Sequence, residues 1–364
     1  MSGNNLFFVC PIWRQPFRYF GQATIILLLA VFTLSCDQAP QKQRAVTIDN
    51  VEPRRDVAGE IIDAHDGCLQ FFNGHYYLYG TAYGQTDGYT NNSFRVYSSL
   101  DLARWTWEGE LLKGCPAGIY YRPCVVFNPH SRKYVLWYNW YPRLWEGRVG
   151  VATSDTPLGP FTVVNPNVQI TGFRPGDTNV LGARPGDGSL FVDDDGTGYY
   201  IYTSMSDGYA VRVQRLRPDY LGPIGRTSNI LATGAEAPIL FRRNNLYYVL
   251  CGPLCAFCPE GSQVQVFTST SPLGPFKPRS NINRRSADGT DAPNIPAQQT
   301  WVMKIPTLGE PAFVWIADRW KSSPDGIKGH DFQFWSAPLK FTPDGDILPI
   351  NGVARWGIEW KSGD

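Results

Sequence analysis

The sequence predicts an all-β chain folded as a five-bladed β-propeller, and three observations predict it. A unit made of an apolar run, a polar turn and an aromatic run recurs five times in the same order, at intervals of about 50 to 65 residues, the spacing of radial repeat folds. The first unit turns on Asn73-Gly74, a pair that tolerates the positive φ of a tight hairpin. No ten-residue helical periodicity competes with these units between Asp56 and Trp360.

The units follow in chain order. The first, Ile62 to Thr81, opens on His65-Asp66-Gly67, passes through an apolar run to Phe72 and returns through Tyr76 to Tyr79. The second starts at Arg122 and turns over Asn128 to Arg132, and the third starts at Asp187 and turns over Asp193 to Gly196. The fourth starts at Glu236 and turns over Arg243 to Asn245; the fifth starts at Gln298 and turns near Leu308-Gly309. TSDTPLGPF at 153–161 and TSTSPLGPF at 268–276, with YSSLDLARW at 97–105 as a looser relative, repeat the internal symmetry at the corners where outer strands turn back.

Composition bounds the function. The chain has 364 residues, 43% hydrophobic and 18% charged with a formal net charge of +1, enough apolar material for a large core and no basic face for a nucleic-acid backbone. Residues 1–36 read as an export signal: Arg14 and Arg18 precede an apolar stretch from Ala23 to Leu34, too short for a comfortable membrane span. Leu34-Ser35-Cys36-Asp37 matches a bacterial lipoprotein processing site except at Thr33, so a lipid anchor through Cys36 and plain secretion both stay open, and with them a periplasmic, cell-surface or secreted location. Residues 37–55 read as a flexible linker and 56–364 as the propeller, expected to be a monomer. Export permits disulfides; Cys115 and Cys124 flank a short loop and are a candidate pair. Cys251, Cys255 and Cys258 lack a fourth ligand at metal spacing and read as buried thiols or one disulfide.

The chemistry follows from the first polar residue of each unit. In a propeller the innermost strands surround the axis, so Asp66, Arg122, Asp187, Glu236 and Gln298 should ring one mouth of the channel. Three acids held together cannot all ionise cheaply, and a carboxyl with a raised pKa beside an ionised one is the pair that glycoside hydrolysis needs. Asp193 to Asp195, followed by Gly196, read instead as turn acids. Trp140, Trp145, Trp301 and Trp320 are candidates for a sugar platform, each with core packing as the competing reading.

At these residues the chain resembles family 43 of the glycoside hydrolases, over nearly the whole exported domain. His65-Asp66-Gly67 with Tyr76-Tyr77 is similar to that family's base motif, Asp187 before SLFVDDDG to its pKa-tuning acid, and Glu236 in EAPILF to its general acid. AHDGCLQFFNGHYYLYG, DGSLFVDDDG, EAPILF, AQQTWV and ADRW resemble the exo-β-1,3-galactanase branch. That branch has Gly where this chain has Asp66, uses a Gln matched by Gln298 in place of the base, and has Glu where this chain has Tyr121. The resemblance implies an inverting glycosidase with Asp66, Asp187 and Glu236 as catalytic residues and His65, Arg122, Gln298 and Trp320 as substrate-binding residues. It requires no cofactor, while a bound calcium ion, with His330 near it, is compatible with relatives. A galactanase, an arabinofuranosidase or β-xylosidase, and a non-catalytic carbohydrate-binding propeller all stay open.

Overall fold

The computed structural model describes residues 43–171, 184–255, 257, 262–284, 293–307 and 309–361. The first strand is β1 (Gln43–Asp49). Twenty more follow. Blade 1 is β2 (His65–Phe72), β3 (His75–Ala82), β4 (Ser93–Ser99) and β5 (Thr106–Glu110). Blade 2 is β6 (Ile119–Asn128), β7 (Lys133–Tyr141), β8 (Arg148–Ser154) and β9 (Thr162–Asn165). Blade 3 is β10 (Pro185–Val192), β11 (Gly198–Ser204), β12 (Ala210–Leu216) and β13 (Pro223–Thr227). Blade 4 is β14 (Ala235–Arg243), β15 (Leu246–Pro253), β16 (Gln265–Ser269) and β17 (Lys277–Pro278), and blade 5 is β18 (Gln298–Ile305), β19 (Ala312–Arg319) and β20 (Phe332–Trp335). Within each blade neighbouring strands are antiparallel. The first strands of successive blades touch in a closed ring, β18 returning to β2, so the five-bladed propeller is complete.

Burial follows from this radial stacking. Every residue of β11 is buried because each face of a middle strand meets the neighbouring blade, while β5 on the rim is mostly exposed. The aromatic runs fill the space between blades: Tyr76, Tyr79, Trp137, Tyr200, Tyr202 and Tyr248 are fully buried. The export signal read over 1–36 lies outside the described residues. The linker read over 37–55 needs correction, because β1 falls inside it and pairs in register with β21 (Arg355–Lys361), burying Ile48. Its Gln- and charge-rich composition hid a strand whose partner lies at the far end of the chain.

Asn50, next after β1, completes the three-stranded fifth blade. Its side-chain oxygen accepts from Trp335 N at 2.9 Å and its amide donates to Trp335 O at 2.9 Å and Val353 O at 3.0 Å, standing in for a fourth strand. The group is 6% exposed, so removing it leaves buried backbone groups unpaired. Asn50→Ala should therefore lower the unfolding free energy by about 2 kcal/mol, read as a lower denaturant midpoint with an unchanged slope.

The inner strands share one irregularity. Each slips register just before the site end of the channel: between His65 and Cys68, Tyr121 and Cys124, Pro185 and Gly188, Glu236 and Ile239, and Gln299 and Trp301. Asp66, Arg122 and Ala237 each hold the first place of their bulge with φ of 52°, 55° and 53°. Gly67, the second bulge residue of blade 1, passes so close to β3 that a Cβ there would lie 2.0 Å from Tyr79 O. A bulky residue is excluded at that position.

Candidate active site

The bulges release backbone N–H groups from the sheet, and carboxylates receive them. Asp66 N donates to Asp318 Oδ2 at 2.6 Å, Arg122 N to Asp66 Oδ1 at 3.2 Å, and Ala237 N to Asp187 Oδ2 at 3.0 Å. Each acceptor belongs to the preceding blade, so the bonds lace the ring together around the axis. A buried N–H left without such a partner would cost about 1 to 3 kcal/mol.

Asp66, Arg122, Asp187, Glu236, Gln298 and Trp320 line one pocket together with Tyr83, Tyr89, Tyr121, Tyr141, Trp145, Tyr209 and Phe257. The unit spacing suggested equivalent positions for the acids, but the bulges offset them. Asp66 takes the first bulge place, Asp187 the second of its own, and Glu236 the last paired place before its bulge. The offset sends three carboxyls into the pocket from different depths of the strand ends.

Asp66 is 5% exposed and accepts from Thr81 Oγ1 at 2.6 Å and Tyr83 Oη at 2.7 Å besides the Arg122 amide. Burial pushes its pKa up to about 6, opposed by the Arg122 charge and the two hydroxyls. Three of about four acceptor positions on the carboxylate are filled, leaving one for a water or a substrate hydroxyl. Glu236 accepts from Gln298 Nε2 at 2.7 Å and Cys255 N at 3.3 Å. Burial and then the Asp187 charge push its carboxyl up to about 7, against Arg122, the Cys255 amide and Gln298. Arg122 crosses the channel from blade 2: one nitrogen donates to Asp187 Oδ2 at 2.9 Å in blade 3 and another to Gln299 O at 3.1 Å in blade 5. Gln298 is fixed at both ends, since Trp320 Nε1 donates to its oxygen at 3.0 Å.

His65 does not join them. It is fully buried, with Nδ1 at 3.0 Å from Asp318 Oδ1 and Nε2 at 3.2 Å from Gly329 O, so it has no ring nitrogen for a substrate and its expected role is corrected. Burial opposes its charge, but Asp318, with Asp63 behind it, outweighs burial and pushes the pKa up to about 9. His330 pairs with Asp325 at 2.6 Å outside the pocket. Among the described residues no group of three or more His, Cys, Asp or Glu side chains could hold a metal ion, and the Arg122 guanidinium crosses the axis between Asp187 and Gln299. Of the tryptophan candidates, Trp145 and Trp320 line the pocket, whereas Trp140 stacks on Tyr120 and both it and Trp301 are buried.

The cysteine pairing is also corrected. Cys115 and Cys124 are both free, and Cys124 hydrogen-bonds Cys68, which holds the same register place on the neighbouring inner strand. Cys251 is a buried free thiol and Cys255 is disulfide-bonded. Sequence reasoning passed over Thr81 and Tyr83 on Asp66, Asp318 beneath it, and Phe257 in the wall. Asp318 lies in the ADRW segment that carried the resemblance, which was the available signal.

A family model, glycosyl hydrolases family 43, matches residues 61–302. The arabinoxylan arabinofuranohydrolase of Bacillus subtilis (strain 168) is 27% identical over 312 residues, covering 72% of this chain and 58% of that protein. A second enzyme of that name, from Paenibacillus polymyxa, is 26% identical over 69% of this chain and 44% of its own length. The chain thus spans about half of the curated relatives it matches. Among solved structures, an exo-β-1,3-galactanase from Clostridium thermocellum superposes with a TM-score of 0.74 at 25% identity, covering 87% of this chain and 68% of the other. A family 43 β-1,3-galactosidase with galactodeoxynojirimycin gives a TM-score of 0.73 at 25% identity, over 85% of this chain and 99% of that one.

The His65 and Asp318 pair makes stability depend on pH. A histidine whose folded pKa is raised contributes stability that is fully present below its unfolded value near 6.5 and is lost as pH rises through about 9. The denaturant midpoint should fall between those pH values, and His65→Gln should flatten the decline.

Proposed function

The chain belongs to family 43 of the glycosyl hydrolases, and from that premise we propose that it is an inverting glycoside hydrolase removing terminal sugars from plant-type or related polysaccharides, in the first place as an exo-β-1,3-galactanase. The observation that carries the reading is the convergence of Asp66, Asp187 and Glu236 on one aromatic-walled pocket. Glu236, with its raised pKa, gives a proton to the leaving glycosidic oxygen as the bond to the anomeric carbon breaks. Asp66 takes a proton from the water that attacks that carbon from the opposite face, and the hydroxyl arrives with inverted configuration. Asp187 raises the pKa of Glu236, and Arg122, bonded to Asp187, Gln299 O and through its amide to Asp66, holds the three in register. The aromatic wall offers faces for the C–H surfaces of a sugar. Chemistry of this kind requires no organic cofactor. The same reading has the enzyme exported on its leader, with Cys36 as the anchoring residue where the leader is processed as a lipoprotein signal.

Asp66 is a better base than Gln298. The Gln298 oxygen already accepts the Trp320 indole N–H and its amide nitrogen donates to Glu236, so this side chain positions the acid. The second reading, an α-L-arabinofuranosidase or β-xylosidase, is favoured by the curated relatives and by the carboxylate at Asp66, where the galactanase branch has Gly. Incubation with β-1,3-galactan and with aryl galactosides, arabinofuranosides and xylosides, with the product anomer read by NMR, separates these readings. A blank result on every substrate, with glycan binding intact, would favour the binding-module reading.

The catalytic form needs Asp66 ionised and Glu236 protonated. kcat/KM should therefore be bell-shaped, rising through about 6 and falling through about 7. Glu236→Gln should lose about 10²- to 10⁴-fold on a polysaccharide and much less on a nitrophenyl glycoside, whose leaving group needs no proton. Asp66→Asn should lose activity on both, and undiminished hydrolysis by that variant would move the base role to Gln298.

A further inference from the structure

Beside the pocket wall lies a cation that is not part of the pocket lining. Lys328, on a short 3₁₀ turn (Lys328–His330), places Nζ 3.5 Å from the ring centre of Phe257, 3.9 Å from Trp320 and 4.8 Å from Tyr83. The three rings stand mutually edge to face, at 84°, 87° and 88°, like the inner faces of a box corner with the ammonium in the corner. Gly88, at φ +89°, leaves room for the lysine stem, since a Cβ there would lie 2.7 Å from Lys328 Cε. Among the described residues the Lys328 ammonium has no hydrogen-bond or ion-pair partner within bonding distance, so the ring faces are its nearest partners. Such contacts strengthen when the cation is desolvated. Burial opposes its charge and pushes its pKa down to about 8, while Asp331, Asp318 and Asp66 favour the charge from farther off and Lys321 opposes it.

The same rings line the active-site pocket; one of them bonds the Asp66 carboxyl and another bonds the Gln298 amide that holds Glu236. Tyr83, Phe257 and Trp320 line the site pocket, while Lys328 lines a separate cavity of about 480 Å³ beside it. Tyr83 Oη donates to Asp66 Oδ2 at 2.7 Å. Trp320 Nε1 donates to Gln298 Oε1 at 3.0 Å, and Gln298 Nε2 donates to Glu236 Oε1 at 2.7 Å. One ammonium therefore holds the ring that bonds the base and the ring that leads to the acid.

We propose that Lys328 is a positioning residue for both carboxyls: clamped among Tyr83, Trp320 and Phe257, it fixes the donors that hold Asp66 and, through Gln298, Glu236. The catalytic part of this inference rests on the roles proposed above for Asp66 and Glu236. The two donors, Tyr83 on Asp66 and Gln298 on Glu236, favour the ionised carboxylates, and the lysine charge favours an ionised Asp66 as well, so losing the clamp should move both limbs of the pH profile upward.

The test compares Lys328→Met with Lys328→Arg. The methionine variant should lose about tenfold in kcat with a smaller change in KM, shift both limbs to higher pH and move the indole N–H resonance of Trp320. Arginine, which keeps the charge and stacks on rings, should recover most of each. Unchanged kcat, limbs and indole resonance in Lys328→Met would overturn the proposal. So would equal losses in both variants with limbs and resonance in place, which would mark Lys328 as packing alone. Should Lys328→Met fail to fold, Phe257→Leu removes one wall and keeps the charge; it should move kcat and the Trp320 resonance in the same directions, and an unmoved resonance overturns the clamp. A wild-type chain that released no sugar would overturn the site reading instead, while the indole resonance still decides the clamp.

Discussion

The hydrogen bond from a bulged backbone amide to a carboxylate of the preceding blade is the interaction on which the site depends. An inner strand is the edge of its sheet and turns alternate N–H groups toward the axis, but one that kept perfect pairing to its end would point its side chains alternately to the two faces of its own sheet. Slipping the register re-aims one residue toward the axis and frees one donor. At Asp66, Arg122 and Ala237 the backbone takes the left-handed region, which a non-glycine residue adopts at some cost. The bonds to Asp318, Asp66 and Asp187 offset that cost, and two of those acceptors are the acids that line the pocket. The strain and the chemistry are thus one arrangement seen from two sides.

Electrostatics then follow from how few cations share the ring. Arg122 is shared between Asp187 and, through its position, the other two acids, so its charge opposes burial at Asp66 and at Glu236 without overcoming it. Asp318 is answered separately by His65, which keeps a fourth carboxylate from adding its full charge to the pocket. The other mouth of the channel has none of this. There the inner strands pair up to their turns, and Phe71, Phe127 and Phe191 line a broad cavity of about 610 Å³ that contains none of the three acids. The bulges and the three acids lie at the same mouth.

What the sequence made legible was local. The Asn73-Gly74 turn, the alternation of apolar and aromatic runs and their fivefold recurrence depend on neighbours a few residues apart, and they sufficed for the blades. Asp66, Asp187 and Glu236 were legible because a lone carboxylate before an apolar run is costly unless something receives it. The misreadings came from distance. The pairing of β1 with β21, the seat of His65 under Asp318, and the contact of Cys124 with Cys68 join residues from different blades or opposite chain ends. Nothing in the spacing around Cys115 and Cys124 reveals that the second thiol faces the channel.

The offset of the acids also bears on which residue serves as base. Gln298 and Glu236 occupy the same register place in adjacent blades, seven residues before the last paired residue of their strands, so their side chains meet directly and bond. Asp66 lies one place further along its strand, on the bulge itself, and bonds Thr81, Tyr83 and the Arg122 amide instead. An amide bonded to the acid suits the task of orienting it, while a carboxylate that is buried, held by two hydroxyls and left with one acceptor position suits the task of taking a proton from water. In a chain with glycine at the place of Asp66, only the amide would remain to face the water. Here both are present, and under the proposed reading the register of the bulges gives them different work.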